Sequence, residues 1–168
     1  LFVGANWVQL ILPQLGEDRL AAAFHFDQPI ADNTNAAART TPLKAFRCPS
    51  DPFNNQENEY EFQLATPPVG PISFARGNYA INGGSQNHRL HPGTTSFPVG
   101  DGSHVVMDRD SRTYKYWGNG VAGINVAFAF DDFKNGLATT VAVDEIRAGV
   151  HPIDPRGAWA LGLIGSSL

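Results

Sequence analysis

The sequence predicts an α+β fold, with N-terminal helices packed on an antiparallel sheet and long Gly/Pro/Asn-rich loops between the strands. Three observations lead there. Apolar residues between positions 5 and 26 recur at helical spacing. After position 78, short runs alternate in the manner of strands. The 17 Gly and 12 Pro demand many turns. A chain of 168 residues suits one domain with a real core, since a domain of about that size buries roughly two-thirds of its unfolded surface. Residues 1–168 are therefore read as one globular domain in three parts. These are a helical part over 1–42, a Cys-Pro bend and proline-rich connection over 43–77, and a strand and loop part over 78–168.

The helical part begins with Trp7, Leu10, Ile11 and Leu15 on one face, continued by Leu20, Ala23 and Phe24. Pro13 and Gly16 interrupt, which predicts two short helices meeting at a kink. Asn6 suits the N-cap of the first, and Glu17-Asp18 suit the positive end of the second. Asp32 or Asn33 can cap a further short helix over 35–39, which Pro42 prevents from continuing.

The bend Cys48-Pro49-Ser50-Asp51-Pro52 holds the only cysteine. Each proline fixes its own φ and drives the preceding residue out of the helical region. Leu43, Ala45 and Phe46 before it read as a short, partly buried extended segment. Residues 53–77 read as a long surface connection with polyproline character around Thr66-Pro67-Pro68-Val69-Gly70-Pro71.

Strands are expected at 78–82, 105–107 and 113–117, the last stopped by Gly118-Asn119-Gly120. Residues 121–130 alternate, with Val126, Phe128 and Phe130 on one face. Residues 139–146 make the strongest strand signal, entered through an Asn135-Gly136 turn. The expected core is Trp7, Leu10, Ile11, Leu15, Leu20, Phe24, Phe46, Val141 and Val143, closed by Trp159.

The net charge of −4 and the lack of a basic run argue against a nucleic-acid partner, whose affinity rests on clustered Lys and Arg. Charged residues are 17% of the chain, against about 25% in soluble domains. That deficit fits a surface rich in amides and hydroxyls, or one covered by neighbouring subunits.

Candidate chemistry is thin. His88 and His91 have a spacing that binds zinc from a helix, but flanking glycines and prolines argue against a helix there, leaving solvated histidines. Asp108 and Asp110 alternate as in calcium loops, without the glycine and distant Glu of an EF-hand. Asp131-Asp132 and Asp144-Glu145 could pair as glycosidase acids if they faced one cleft, and otherwise are solvated. Ser50 beside Asp51 and Ser103 beside His104 lack a third partner, and Cys48 lacks a neighbouring base. It reads as a small buried residue, or as half of a disulfide to a cysteine elsewhere. Tyr114, Tyr116 and Trp117 could stack on a sugar, or pack in a core or subunit contact. No catalytic, metal or cofactor site is assigned, and no enzymatic activity is expected.

Five pieces of the chain, in order, resemble a large bacterial family of pilin-like proteins that carry a prepilin-type N-terminal helix and a domain of unknown function once labelled solute-binding-protein-like. Residues 7–20 are similar to its tryptophan-containing helix, and Phe46-Arg47-Cys48-Pro49-Ser50-Asp51-Pro52 to its Phe-x-Cys-Pro-Ser-Asp signature. Asn78-Tyr79-Ala80-Ile81-Asn82-Gly83 resembles the strand that follows. Residues 133–145 and Arg156-Gly157-Ala158-Trp159-Ala160 resemble its late block and Arg-Gly-x-Trp element. Leu137-Ala138-Thr139 and Asp144 depart from the usual polar and Gly residues of that block. The resemblance implies the middle portion of a pseudopilin-related subunit, at the cell surface or in the periplasm, attached to membrane only through a helix preceding Leu1. Its partners would be other protein subunits, copies of itself or a larger surface assembly. The alternative function is an extracellular glycan- or solute-binding module using the Tyr114–Trp117 face.

Overall fold

The computed structural model describes residues 5–62, 70–84, 104–108 and 113–162. These form short helices and small antiparallel sheets, an α+β arrangement, and divide into two compact units. Unit 1 takes in residues up to Ala80 and those from Glu145 onward, and unit 2 spans Ile81–Asp144.

Unit 1 opens with helix α1 (Trp7–Ile11). Asn6 caps it as expected: its Oδ1 accepts from Gln9 N–H, and Gln9 Oε1 accepts in return from Asn6 N–H. Pro13 then starts a 3-10 turn (Pro13–Leu15), and Gly16 ends it at φ 78°, a conformation glycine adopts without a Cβ clash. Helix α2 (Asp18–Ala22) follows. Asp32 caps a 3-10 turn over Asn33–Asn35 that runs into α3 (Ala36–Arg39).

The chain through the bend departs from expectation in two places. Residues Lys44–Phe46 form a 3-10 turn, not an extended segment, although Leu43 and Phe46 are buried. The stretch read as a surface connection contains an antiparallel pair, β1 (Tyr60–Phe62) and β2 (Ile72–Phe74), with Tyr60 opposite Phe74. Tyr60, Ile72 and Phe74 are all buried. Three-residue strands give too few alternations to stand out from their polar flanks. Strand β3 (Tyr79–Ile81) pairs with β7 (Val143–Glu145).

The core of unit 1 gathers Val8, Leu12, Leu20, Phe24, Phe46, Phe74 and Trp159, with Trp7 and Ile11 packed against it. Trp7 lies 5.5 Å from Phe46, and Phe24 meets Trp159 edge-on at 6.0 Å, ring centre to ring centre. The expected core is corrected at four positions. Leu10 is 65% exposed and Val141 56%, and Leu15 and Val143 are also exposed. Helix α1 turns Val8 and Leu12 inward, so the apolar stripe is rotated from the one chosen. The start of the chain is instead tied to the segment at 159–160, through Asn6 and Gln9, while Trp7 packs on Phe46.

In unit 2, β4 (His104–Asp108), β5 (Thr113–Trp117) and β6 (Gly123–Ile124) form a three-stranded antiparallel sheet with β5 central. The first two strands fall where expected. Alternation over 121–130 does not produce one long strand. Asn125 sits at φ 54°, residues Phe130–Asp132 form a 3-10 turn, and Phe130 is 77% exposed. The strand expected over 139–146 is likewise reduced to β7, because Leu137–Thr139 coil into a 3-10 turn after Gly136.

Candidate functional site

The Cys-Pro-Ser-Asp bend is the polar centre of unit 1. Asn78, wholly buried, accepts at Oδ1 from Cys48 N–H (2.9 Å) and from Asn54 Nδ2 (2.5 Å). Its Nδ2 donates to Asp51 Oδ2 (2.5 Å) and to the Ile146 carbonyl (3.0 Å). Asp51 also accepts from the backbone N–H groups of Phe53 and Ala148. Burial alone pushes the Asp51 carboxyl up, but these donors and the nearby Arg147 charge outweigh it and hold the group below its usual range. Asp51 is therefore an anionic knot that ties residues 46–54 to Asn78 and to 146–148. Cys48 is a buried free thiol, its Sγ 3.0 Å from Ser50 Oγ.

Arg76 is a second buried tie, which the sequence reading passed over. Its Nε donates to the Asn58 carbonyl, Nη1 to those of Asp154 and Arg156, and Nη2 to that of His151. All four bonds fall between 2.6 and 2.9 Å. A buried guanidinium is costly unless its donors are met, and here four backbone carbonyls meet it. Burial lowers its pKa, opposed by the Asp154 charge. Asp154 pairs outwardly with Arg156 at 2.6 Å, and that hydrogen bond is the main reason its pKa falls to about 2. The result is a clamped loop over 149–157, from which Val150 (44%) and Ile153 (62%) project into solvent. Arg39 does the same for another turn, donating to the carbonyls of Ser73, Ile30 and Asp32 while lying over the Phe74 ring.

Beside Arg76 lies a small cleft of ≈ 80 Å³, lined by Thr40, Arg47, Asn54, Gln56, Glu59 and Arg76 among others.

A family model matches residues 2–163, a span that contains the bend, both arginine ties and the cleft. The chain belongs to that family, SBP_bac_10, described as a protein of unknown function (DUF1559). No curated protein and no solved structure matches.

In this DUF1559 chain the residues singled out from sequence are scattered. Asp51 is a structural knot, and Ser50 is an exposed neighbour of the thiol. Asp131 and Asp132 are exposed in a 3-10 turn, where Asp132 Oδ2 accepts from the Ala129 N–H. Asp144 and Glu145 are exposed on β7. Asp108 and His104 end β4, and Tyr114, Tyr116 and Trp117 lie on the central strand β5, where Tyr116 stands opposite Val105 and Ile124. His88, His91, Ser103 and Asp110 lie outside the described residues. Among the described residues no group of three His, Cys, Asp or Glu is placed to hold a metal, and no helix is long and apolar enough to cross a membrane. Asn54, Asn78 and Arg76 were missed as a set. The available signal was polar residues inside apolar flanks, as in Phe74-Ala75-Arg76-Gly77-Asn78-Tyr79.

Proposed function

We propose that this chain is a structural and interaction protein, the globular portion of a pilin-like or pseudopilin-like subunit that acts through assembly contacts at the cell surface or in the periplasm. One observation carries the reading. A buried arginine fixes the 149–157 loop in one shape, and that loop holds Val150 and Ile153 out in solvent. Single exposed aliphatics are ordinary. Two on a loop held by three bonds from a buried cation are a preorganised contact, because ordering the loop on association costs little. The partners are copies of this chain or other subunits of a larger assembly.

The test is the double variant Val150→Asp/Ile153→Asp. Both side chains are exposed, so its unfolding midpoint should match the parent. The native assembly, imaged by electron microscopy and sized by light scattering, should fall to single subunits. A variant that assembles as the parent does removes the reading.

A further inference from the structure

The hydrogen-bond chain from Asp51 ends on an unsatisfied buried atom. An ionised carboxylate only accepts, so Asn78 must turn its Nδ2 to Asp51 and to the Ile146 carbonyl. Asn78 Oδ1 is then an acceptor, which obliges Asn54 to present its Nδ2 there and to the Phe46 carbonyl at 3.5 Å. Reversing the Asn54 amide would set oxygen against two acceptors. Asn54 Oδ1 is thus fixed by the network, 6% exposed as a residue, and without a donor among the described residues. Asn54 lines the cleft. Arg76, also lining it, carries five N–H groups and uses four on carbonyls, which leaves one on Nη2. Arg47, Gln56 and Glu59 also line it, with side chains that make no hydrogen bond or ion pair among the described residues.

We propose that this cleft binds an amide group of a polypeptide, its N–H donated to Asn54 Oδ1 and its carbonyl accepting from Arg76. A buried orphan acceptor and a buried residue with a spare donor, both lining one small cleft, call for a neutral ligand that carries one of each. A carboxylate meets the wrong sign at Asn54 Oδ1 and Glu59, and an ammonium meets it at Arg76 and Arg47. The space of ≈ 80 Å³ has room for a few waters or one planar amide. The proposal goes beyond the assembly reading and does not require it, since a free peptide can occupy the cleft whether or not subunits associate.

The experiment is a titration of the isotope-labelled full chain with N-acetylglycine N′-methylamide, followed by nuclear magnetic resonance, with methyl glucoside and acetate as comparison probes. The diamide should give a saturable shift of the Asn54 side-chain amide and the Arg76 Nε–H, with a Kd on the order of millimolar for so small a ligand. The two comparison probes should not. Gln56→Trp, at an exposed position on the cleft wall, should keep the fold and weaken the diamide about tenfold or more. Asn54→Ala should weaken it about tenfold by removing the acceptor. No saturable shift, glucoside or acetate binding as well as the diamide, or undiminished binding to Gln56→Trp would each overturn the proposal and leave the cleft to water.

Discussion

Replacing Asn78 by Ala should do as much damage as emptying a large apolar side chain from the core of unit 1. The side chain is wholly buried and serves four partners: Cys48 N–H, Asn54 Nδ2, Asp51 Oδ2 and the Ile146 carbonyl. Each buried group left without a partner costs about 1–3 kcal/mol. Water entering the vacated volume re-pairs part of the set, which keeps the total near the lower end, about 4 kcal/mol. That is a large share of the roughly 5–15 kcal/mol that holds a domain together. Urea unfolding followed by Trp fluorescence measures it, because Trp159 is buried in the same core and Trp7 packs against it. The isosteric Asn78→Asp separates chemistry from shape. It sets a second carboxylate against Asp51, so one of the pair takes a proton and its pKa rises in the folded state. Stability of that variant should be partly recovered below pH 4–5, by roughly 1–2 kcal/mol, and lost as pH rises through the raised pKa. An Asn78→Ala loss under about 1 kcal/mol, or an Asn78→Asp variant as stable as the parent at pH 7, would refute the view of Asn78 as the knot.

Two further outcomes follow from the second tie. Arg76→Lys supplies three rotating donors where four fixed carbonyls wait, so unit 1 should lose about 2 kcal/mol. The Gly149 and Asp154 amides, bonded to Arg156 and His151, should then exchange hydrogen at least about tenfold faster, and unchanged exchange would show that Arg76 does not hold the loop. Asp154, with a folded pKa of about 2 against an ordinary 3.8, contributes stability that is complete above pH 4 and lost as pH falls through 2. Its side chain is partly exposed, so the contribution is about 1 kcal/mol, and Asp154→Asn should flatten that part of an acid-unfolding curve. An unaltered curve would count against the Asp154–Arg156 pair.

The elements that could be read from the sequence are those whose cause is local. Asn6 caps α1 because an amide two or three residues before free N–H groups has only one good place to bond. Pro13 and Gly16 break the first helix through their own φ limits, and β5 ends at Trp117 before Gly118. Where the choice depended on what lies opposite, the sequence misled. Leu10 and Val8 are equally apolar, and only the position of Trp159 and Leu161 decides which of them faces inward. Residues 121–130 and 139–146 alternate well but find partners for only a few positions.

The candidate site was legible in its centre and hidden in its purpose. The bend at Cys48–Pro52 stood out because two prolines and the lone thiol mark it, yet the chemistry tested there was that of a nucleophile. Asp51 instead spends its charge on Ala148, Phe53 and Asn78. Arg39 and Asn54 gave no signal, since polar side chains are normally solvated and nothing in their neighbours announces burial.

The sequence by itself determined the mixed helix and strand content, the caps and the breaks, because these depend on residues within a few positions of one another. Tertiary structure alone decided which polar side chains became ties. The hydrogen bonds of the knot join residues far apart in sequence, 30 positions for Cys48 and Asn78 and 97 for Asp51 and Ala148, and only folding brings those atoms within 3 Å.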